Sequence, residues 1–577
     1  MAAVRRRASR LVILTGVALL VVLFHHLIRS SSSSSSSSFS SSSSSSFSRV
    51  PPPADFIPSS FNWSAAKQFY PPDVIKSLPK GKPRKLPAVQ APRSAFTNPD
   101  HPDPRRDDVL RVFKRSYNAY RDHAWLRDEL KPVSGGGRTS FGGWAATLID
   151  SLDTLLIMGL DAEFREASDA IAAIDFSKTR DTAVNLFEMT IRHLGGLISA
   201  YELSGEERML HKALEVGEML YVAFDTPNRL PGFWLNFDNA RQGRQVAGVH
   251  DPVASPASLC LEFTRLSQLT GDPKFYDATD RVTRVLERMQ EDTGIPGLWP
   301  VFVDFQNEVA RSSVFSIGGQ ADSLYEYLPK MHVLLGGVDE TYKKMYLRSM
   351  EVVKEHLLFR PMLPNGEDIL FVGDARLGKD KIRLIPDGQH LSCFAGGMFG
   401  LGGKVFGAKD HVSIGERLTR GCGWAYSQFP TGLMPELFTM FPCETLDECE
   451  WDEHTWRMQG DQQIGKGWKS VRDPRYILRP EAIESIFLLY RMTGEDDLRE
   501  MAWEMFQSIV RSTETKLAYS AIKNVRVRGE TVKEDSMESF WMAETLKYFY
   551  LIFSPPDLIS LDDFVFSTEA HPFKRPG

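Results

Sequence analysis

The chain has 577 residues, 42% of them hydrophobic and 25% charged, with a formal net charge of −6 at pH 7. Such a length allows a large core, either in several domains or in one closed architecture. The charge excludes a nucleic-acid partner, because basic residues cluster only at the N-terminus.

Residues 1–10 carry Arg5, Arg6, Arg7 and Arg10, whereas residues 11–28 hold no charged side chain beyond what His25 and His26 carry. This pattern predicts a cytosolic tail at 1–10 and a transmembrane signal anchor at 11–28, type II, with the remainder lumenal. A cleaved signal peptide is the competing reading, since the apolar core from Leu11 to Phe24 is short. Ser30 to Ser48 is nearly pure serine, and residues 51–104 hold 13 of the 34 prolines. Residues 29–104 therefore read as a Ser/Pro-rich lumenal stalk that buries no core. Asn62-Trp63-Ser64 in this stretch is an N-glycosylation sequon.

Residues 105–577 have globular composition. Their five cysteines, Cys260, Cys393, Cys422, Cys443 and Cys449, allow up to two disulfides and leave one thiol over. None has zinc-site spacing with a histidine.

An internal repeat organises this region. Leu197 to Gly205, Leu261 to Gly271 and Ile486 to Gly494 are each an apolar helix closed by a Gly turn and followed by an amphipathic helix. Looser copies turn at Gly159, Gly337 and Gly407, and the step from Gly205 to Gly271 to Gly337 is 66 residues each time. A last helix from Met537 to Phe553 makes a seventh unit. Helical hairpins repeated in this way stack to bury their apolar faces, and seven are enough to close the array. The expected fold is all-α: a barrel of helical hairpins whose apolar first helices line the inside.

Ionisable residues fall in the first half of the inner segments: Glu188, Glu262, Asp322, His390 and Glu481 precede their turn glycines by 17, 9, 15, 17 and 13 residues. In a closed barrel these converge on one mouth. A buried ring of carboxylates without a ligand or cation is too costly to be structural. Glu188 and Arg192 lie i to i+4, an ion pair that would fix the position of that carboxylate. Asp322 with Glu326, and Glu481 with Glu484 behind Pro480, carry like charges on one helix face. A metal or a polyol between them would reconcile them, and an all-oxygen set favours Ca²⁺.

Val184 to Arg192, Ala321 to Leu328, Leu478 to Glu481, Met537 to Tyr548 and Phe566 to Pro572 resemble, in order, the signature segments of the class I α-1,2-mannosidases, glycoside hydrolase family 47. The resemblance runs from about Tyr117 to Pro572. It implies an (α/α)7 barrel plugged by its C-terminal segment, working in the endoplasmic reticulum or Golgi as a calcium-dependent, inverting exo-hydrolase of terminal α-1,2-mannose on high-mannose N-glycans, from Man9 towards Man8 and smaller. Carried over by motif, Glu188 and Asp322 serve leaving-group protonation, Glu481 is the base, and Thr568 ligates Ca²⁺. Asp128, Glu262, Glu326, His390, Glu436, Glu484, Glu544 and Glu569 would hold sugar or metal-bound water, with Arg192, Arg479 and Phe540 shaping the pocket. Cys393 and Cys422 match the family disulfide, and a monomer is expected. Two departures stand out. Residues 443–468 form a Trp- and acid-rich insertion with its own cysteine pair, and Gln320 stands where endoplasmic-reticulum-type members resemble one another in having Arg. The rival function is a mannose-binding quality-control factor of the same fold; a different α/α-barrel glycosidase or epimerase would leave the Thr568-Glu569 terminus unexplained.

Overall fold

The computed structural model describes residues 56–379 and 381–576. The expected tail and anchor at 1–28 lie outside the described residues, among which no helix is long and apolar enough to cross a membrane.

Fourteen helices among the described residues make seven pairs. In chain order they are α1 (Arg105–Ala124), α2 (Leu152–Ile157), α3 (Asp161–Ala172), α4 (Gly195–Ser204) and α5 (Glu207–Tyr221). There follow α6 (Cys260–Thr270), α7 (Lys274–Met289), α8 (Asp322–Leu334), α9 (Thr341–His356) and α10 (Phe394–Phe406). Last come α11 (Lys409–Ser427), α12 (Glu481–Thr493), α13 (Asp497–Thr513) and α14 (Leu546–Ile552). The even-numbered helices pack side by side as an inner ring, which closes where the π-helical turn Trp541–Thr545 ahead of α14 meets α2. Outside each lies its partner, and α14 takes α1 from the other end of the chain. The repeat foretold the hairpins, but not that the seventh pair joins the first and last helices.

Turn chemistry decides where each hairpin reverses. Gly205 and Gly271 end α4 and α6 at φ +73°, a conformation open to glycine at no steric penalty. Helix α12 begins at Glu481, with Pro480 as its N-cap, and is closed by Gly494. Its buried face is nearly all round, as its composition required. Helices α10 and α11 approach closely enough that a Cβ on Gly415 would lie 2.7 Å from the Gly396 carbonyl. Cys393–Cys422 staples the same pair, with Cα atoms 6.0 Å apart.

Because the inner-to-outer turns are short, the long outer-to-inner loops gather at the opposite face. They contribute the ribbon β1 (Val184–Asn185) with β2 (Trp234–Leu235), and the sheet β3 (Asp387–Gln389), β4 (Leu437–Met440) and β5 (Trp468–Asp473). The insertion lies between β4 and β5, where Cys443 pairs with Cys449 and Trp456 packs on Met362 and Phe441. A terminal hairpin, β6 (Phe564–Phe566) with β7 (Pro572–Lys574), packs on α8 and α4.

The stalk reading does not hold from residue 56 onward. Trp63, Val89 and Phe96 are buried in the main core, and the backbone of 59–91 is tied to the barrel by Asp225, Asp277, Asp562 and the Arg491 carbonyl. Proline keeps this segment extended, and its few apolar side chains suffice to anchor it as a belt along a preformed surface. Asn62 is exposed; its Oδ1 accepts from the Ser64 amide at 3.0 Å and the Ser64 hydroxyl at 2.7 Å.

Candidate active site

The mouth-side ends of the inner helices enclose a cavity of about 330 Å³. Eleven of the expected side chains line it: Glu188, Arg192, Asp322, Glu326, Arg479, Glu481, Glu484, Phe540, Glu544, Thr568 and Glu569. Gln320 lines it too.

Local structure aims each acid. The Asn185 side chain caps the turn that carries Glu188, accepting from the Glu188 amide at 3.1 Å. The following π-helical turn, Met189–Leu194, brings Arg192 Nε to 2.9 Å from Glu188 Oε2, while the guanidinium also bonds Glu569. Asp322 opens α8 and accepts from the Ser323 amide at 2.8 Å. Phe540 lies under both Arg192 and Arg479, with centroid distances of 5.9 and 6.0 Å. Three non-glycine residues with positive φ border these groups: Gln320 at +76°, Leu478 at +67° and Ala570 at +59°. Backbone strain of this kind concentrates at sites whose geometry the surroundings over-determine.

The acids differ in protonation. Burial pushes Asp322 up to about 7, with the Glu326 and Glu481 charges adding to the effect. Burial acts on Glu481 too, but Arg479, whose Nη1 is 3.4 Å away, and His390, whose Nδ1 is 2.9 Å away, hold it below the ordinary range. An ionised carboxylate only accepts, so Nδ1 of His390 is the donor, and Nε2 faces the Tyr426 hydroxyl at 2.7 Å. Deeper in the wall, burial raises Glu484 to about 8 and lifts Glu544 and Glu569 well above their usual range. Lys330 bonds Glu326 and lies 3.6 Å from Glu484.

Asp128, Glu262, His390 and Glu436, expected to hold sugar or metal-bound water, are not among the residues that line the cavity. Asp128 is saturated by the amides of Phe141, Gly143 and Ala146 at 2.8, 2.9 and 3.1 Å, so it shapes a loop. Glu262 accepts from the Tyr327 hydroxyl at 2.6 Å, and Tyr327 in turn accepts from the Thr568 amide at 3.1 Å. His390 and Glu436 stand behind Glu481 and Arg479, with Glu436 Oε2 accepting from Arg479 Nε at 2.7 Å.

Below the cavity lies a cluster that sequence reasoning missed. Asp153 meets Lys547 Nζ and His571 Nδ1, each at 2.8 Å, while His571 Nε2 faces Asp150 Oδ1 at 3.2 Å. Lys547 also donates to the Ala570 carbonyl at 2.7 Å, and so pins the loop that presents Thr568. A Cβ at position 195 would lie 2.7 Å from the His571 ring, so Gly195 makes room for it. Two acids spaced i to i+3 in the apolar run from Leu148 to Leu156 were the available signal.

A hard cation fits this chemistry. Thr568 presents a hydroxyl and a carbonyl that no hydrogen bond among the described residues uses, beside the surplus of buried carboxylates. No group of three or more His, Cys, Asp or Glu among the described residues is close enough to hold a metal directly.

Residues 112–575 match the family described as glycosyl hydrolase family 47. The chain belongs to that family. It is 38% identical over 492 residues to the human endoplasmic reticulum mannosyl-oligosaccharide 1,2-alpha-mannosidase, which covers 82% of this chain and 64% of that protein. It is 35% identical over 478 residues to mannosyl-oligosaccharide 1,2-alpha-mannosidase MNS1 of Arabidopsis thaliana, covering 82% and 78%. The solved alpha-1,2-mannosidase of Trichoderma reesei superimposes with a TM-score of 0.75 at 32% identity, covering 82% of this chain and 99% of that one. This family 47 chain is a glycoside hydrolase with the (α/α)7 barrel fold.

Proposed function

We infer that the protein is an inverting, calcium-dependent exo-α-1,2-mannosidase that trims high-mannose N-glycans, from Man9 to Man8 and smaller, in the secretory pathway. The observation that carries this reading is that Asp322 and Glu481 open two different inner helices and line one cavity, with burial raising Asp322 to about 7 and Arg479 and His390 holding Glu481 low. Inversion needs an acid and a water-activating base on opposite faces of the sugar, roughly 6.5–9.5 Å apart, a gap that separate helices can supply.

Glu481, ionised and oriented by Arg479 and His390, takes a proton from the attacking water. Asp322 holds a proton near neutrality and, with Glu188, serves the departing oxygen; Arg192 keeps Glu188 in place. Phe540, flanked by two guanidiniums, gives the ring an apolar wall. Metal dependence comes with the family, and the proposal is that the metal is Ca²⁺, held by Thr568 and, through water, by Glu326, Glu484, Glu544 and Glu569. When bound, Ca²⁺ would supply positive charge and oxygen coordination beside the sugar hydroxyls. The 11–28 segment as a type II anchor in endoplasmic reticulum or Golgi membrane belongs to the same reading.

Purified protein with free Man9 tests it. Proton NMR of the first product should show β-mannose, and initial α-mannose would reject inversion and the base role of Glu481. Glycan binding without mannose release would favour the lectin-like factor.

A further inference from the structure

Asp150 belongs to the cluster below the cavity, yet only one of its oxygens faces that way. Oδ1 stands 3.2 Å from His571 Nε2, whereas Oδ2 accepts from the Ser539 hydroxyl at 2.6 Å and lies 3.4 Å from Arg192 Nη1. Ser539 Oγ in turn accepts from Arg192 Nη1 at 2.9 Å. A carboxylate only accepts and a guanidinium only donates, so the hydroxyl between them has a single possible direction. Although burial opposes it, His571, Arg192 and Ser539 hold the Asp150 carboxyl below the ordinary range, which keeps it an acceptor.

Three inner segments supply these groups. Asp150 closes the short helix Ala146–Asp150 ahead of α2, Arg192 sits in the π-helical turn ahead of α4, and Ser539 stands two residues before the π-helical turn that leads into α14. Asp150 and Ser539 are fully buried and do not line the cavity. The far end of the chain is Glu188, whose side chain is 27% exposed and whose only side-chain hydrogen bond among the described residues comes from Arg192 Nε, at 2.9 Å. That bond keeps its direction only while the guanidinium plane is fixed, and one contact at Nε leaves the plane free to swing. The contacts of Nη1 with Ser539 and Glu569 stop the swing.

We propose that Asp150 and Ser539 are positioning residues for the leaving-group side of the reaction, carrying the fixed geometry of the lower cluster through Arg192 to Glu188. This rests on the mannosidase reading. Neither residue reaches the sugar, so losing them slows turnover without weakening binding.

The experiment measures full-length wild type, Ser539→Ala, Arg192→Lys and the double variant on free Man9, with melting temperatures as a folding control. Ser539→Ala deletes one oxygen and should lower kcat about 10-fold with KM nearly unchanged, since displacing a reacting group costs rate rather than affinity. In the Arg192→Lys background the same substitution should cost nothing further, because lysine lacks the fork that the hydroxyl holds. Asp150→Asn supplies a second cycle, readable even if Arg192→Lys is too slow to measure, and adding Ser539→Ala to it should likewise cost little. An unchanged kcat in Ser539→Ala, a loss confined to KM, or losses that multiply in either double variant would overturn the positioning role. If wild type releases no mannose from Man9, it is the mannosidase reading that fails instead.

Discussion

Two buried ionic clusters share the barrel interior, one beneath the other, and they are built on opposite principles. In the lower one every charge has its counterpart. Asp153 sits between Lys547 and His571, each at 2.8 Å, and although burial opposes it, these cations hold its pKa down to about 2. Around the upper cavity the carboxylates outnumber the cations, and burial lifts Glu262 and Glu484 to about 8. A compensated cluster costs the fold little and fixes geometry; an uncompensated one is tolerable only if something else arrives. The lower cluster is a foundation, and on the function proposed above the upper one receives a cation and a polyhydroxylated ligand.

The most drastic way to break this contrast is to withhold the cation. Exhaustive chelation should abolish mannose release, Ca²⁺ should restore it, and calorimetry should show a lower Tm for the stripped protein, because a ligand of the folded state alone stabilises that state. Full activity after chelation would remove Ca²⁺ from the site. Next in size, Glu481→Gln keeps the shape of an upper carboxylate but cannot take a proton from water. Its kcat should fall by about 10²–10⁴-fold with glycan affinity retained, as single-turnover kinetics and calorimetric titration can check.

Asp153→Ala attacks the lower cluster and should do the reverse. It leaves Lys547 without its carboxylate partner and His571 with Asp150 alone, and should cost about 3–5 kcal/mol of stability in chemical denaturation. A variant as stable as wild type would mean that the cluster is not a foundation.

The clusters should also answer pH in opposite senses. For Glu262 and Glu484 the folded pKa lies above the unfolded value of about 4, so their contribution is complete below about 4 and is lost as pH rises towards 8. For Asp153 the folded pKa is depressed, so its contribution is present above about 4 and is lost as pH falls through about 2. Melting curves of metal-free protein should show both losses, and Glu262→Gln should blunt only the alkaline one. The smallest effect concerns specificity. Gln320 lines the upper cavity, its left-handed backbone fixed by a bond from the Ala254 amide to its carbonyl at 3.0 Å. Gln320→Arg, with a fork that grips one branch, should narrow trimming of Man9 towards one Man8 product in a chromatographic time course. An unchanged product series would show that the position does not read the branch.

Much of the upper cluster was legible in the sequence, because its acids sit in helices whose apolar period makes each carboxylate conspicuous. Glu481 and Glu484 beside Pro480, and Asp322 with Glu326, were visible as like charges sharing a face. The lower cluster was not, because Asp150, Asp153, Lys547 and His571 are spread over some 420 residues of sequence, and each alone resembles an ordinary polar residue. Asp128, Glu262, His390 and Glu436, expected to hold sugar or metal-bound water, stand behind the residues that line the cavity. Motif matching identifies a residue, but only packing tells whether it faces the ligand or the residue that does.

What the sequence by itself determined is local and periodic: the hairpin repeat, the glycines that reverse it, the acids at the start of inner helices, and the family motifs. Side-chain spacing and turn conformation are encoded within a few residues, so they can be read there. Tertiary structure alone decided that the ring closes where the turn ahead of α14 meets α2, that the belt at 56–104 lies on the barrel, and that burial raises Asp322 while Arg479 and His390 hold Glu481 down. Closure, docking and desolvation depend on which surfaces meet across hundreds of residues, and no local pattern records which neighbour excludes the water.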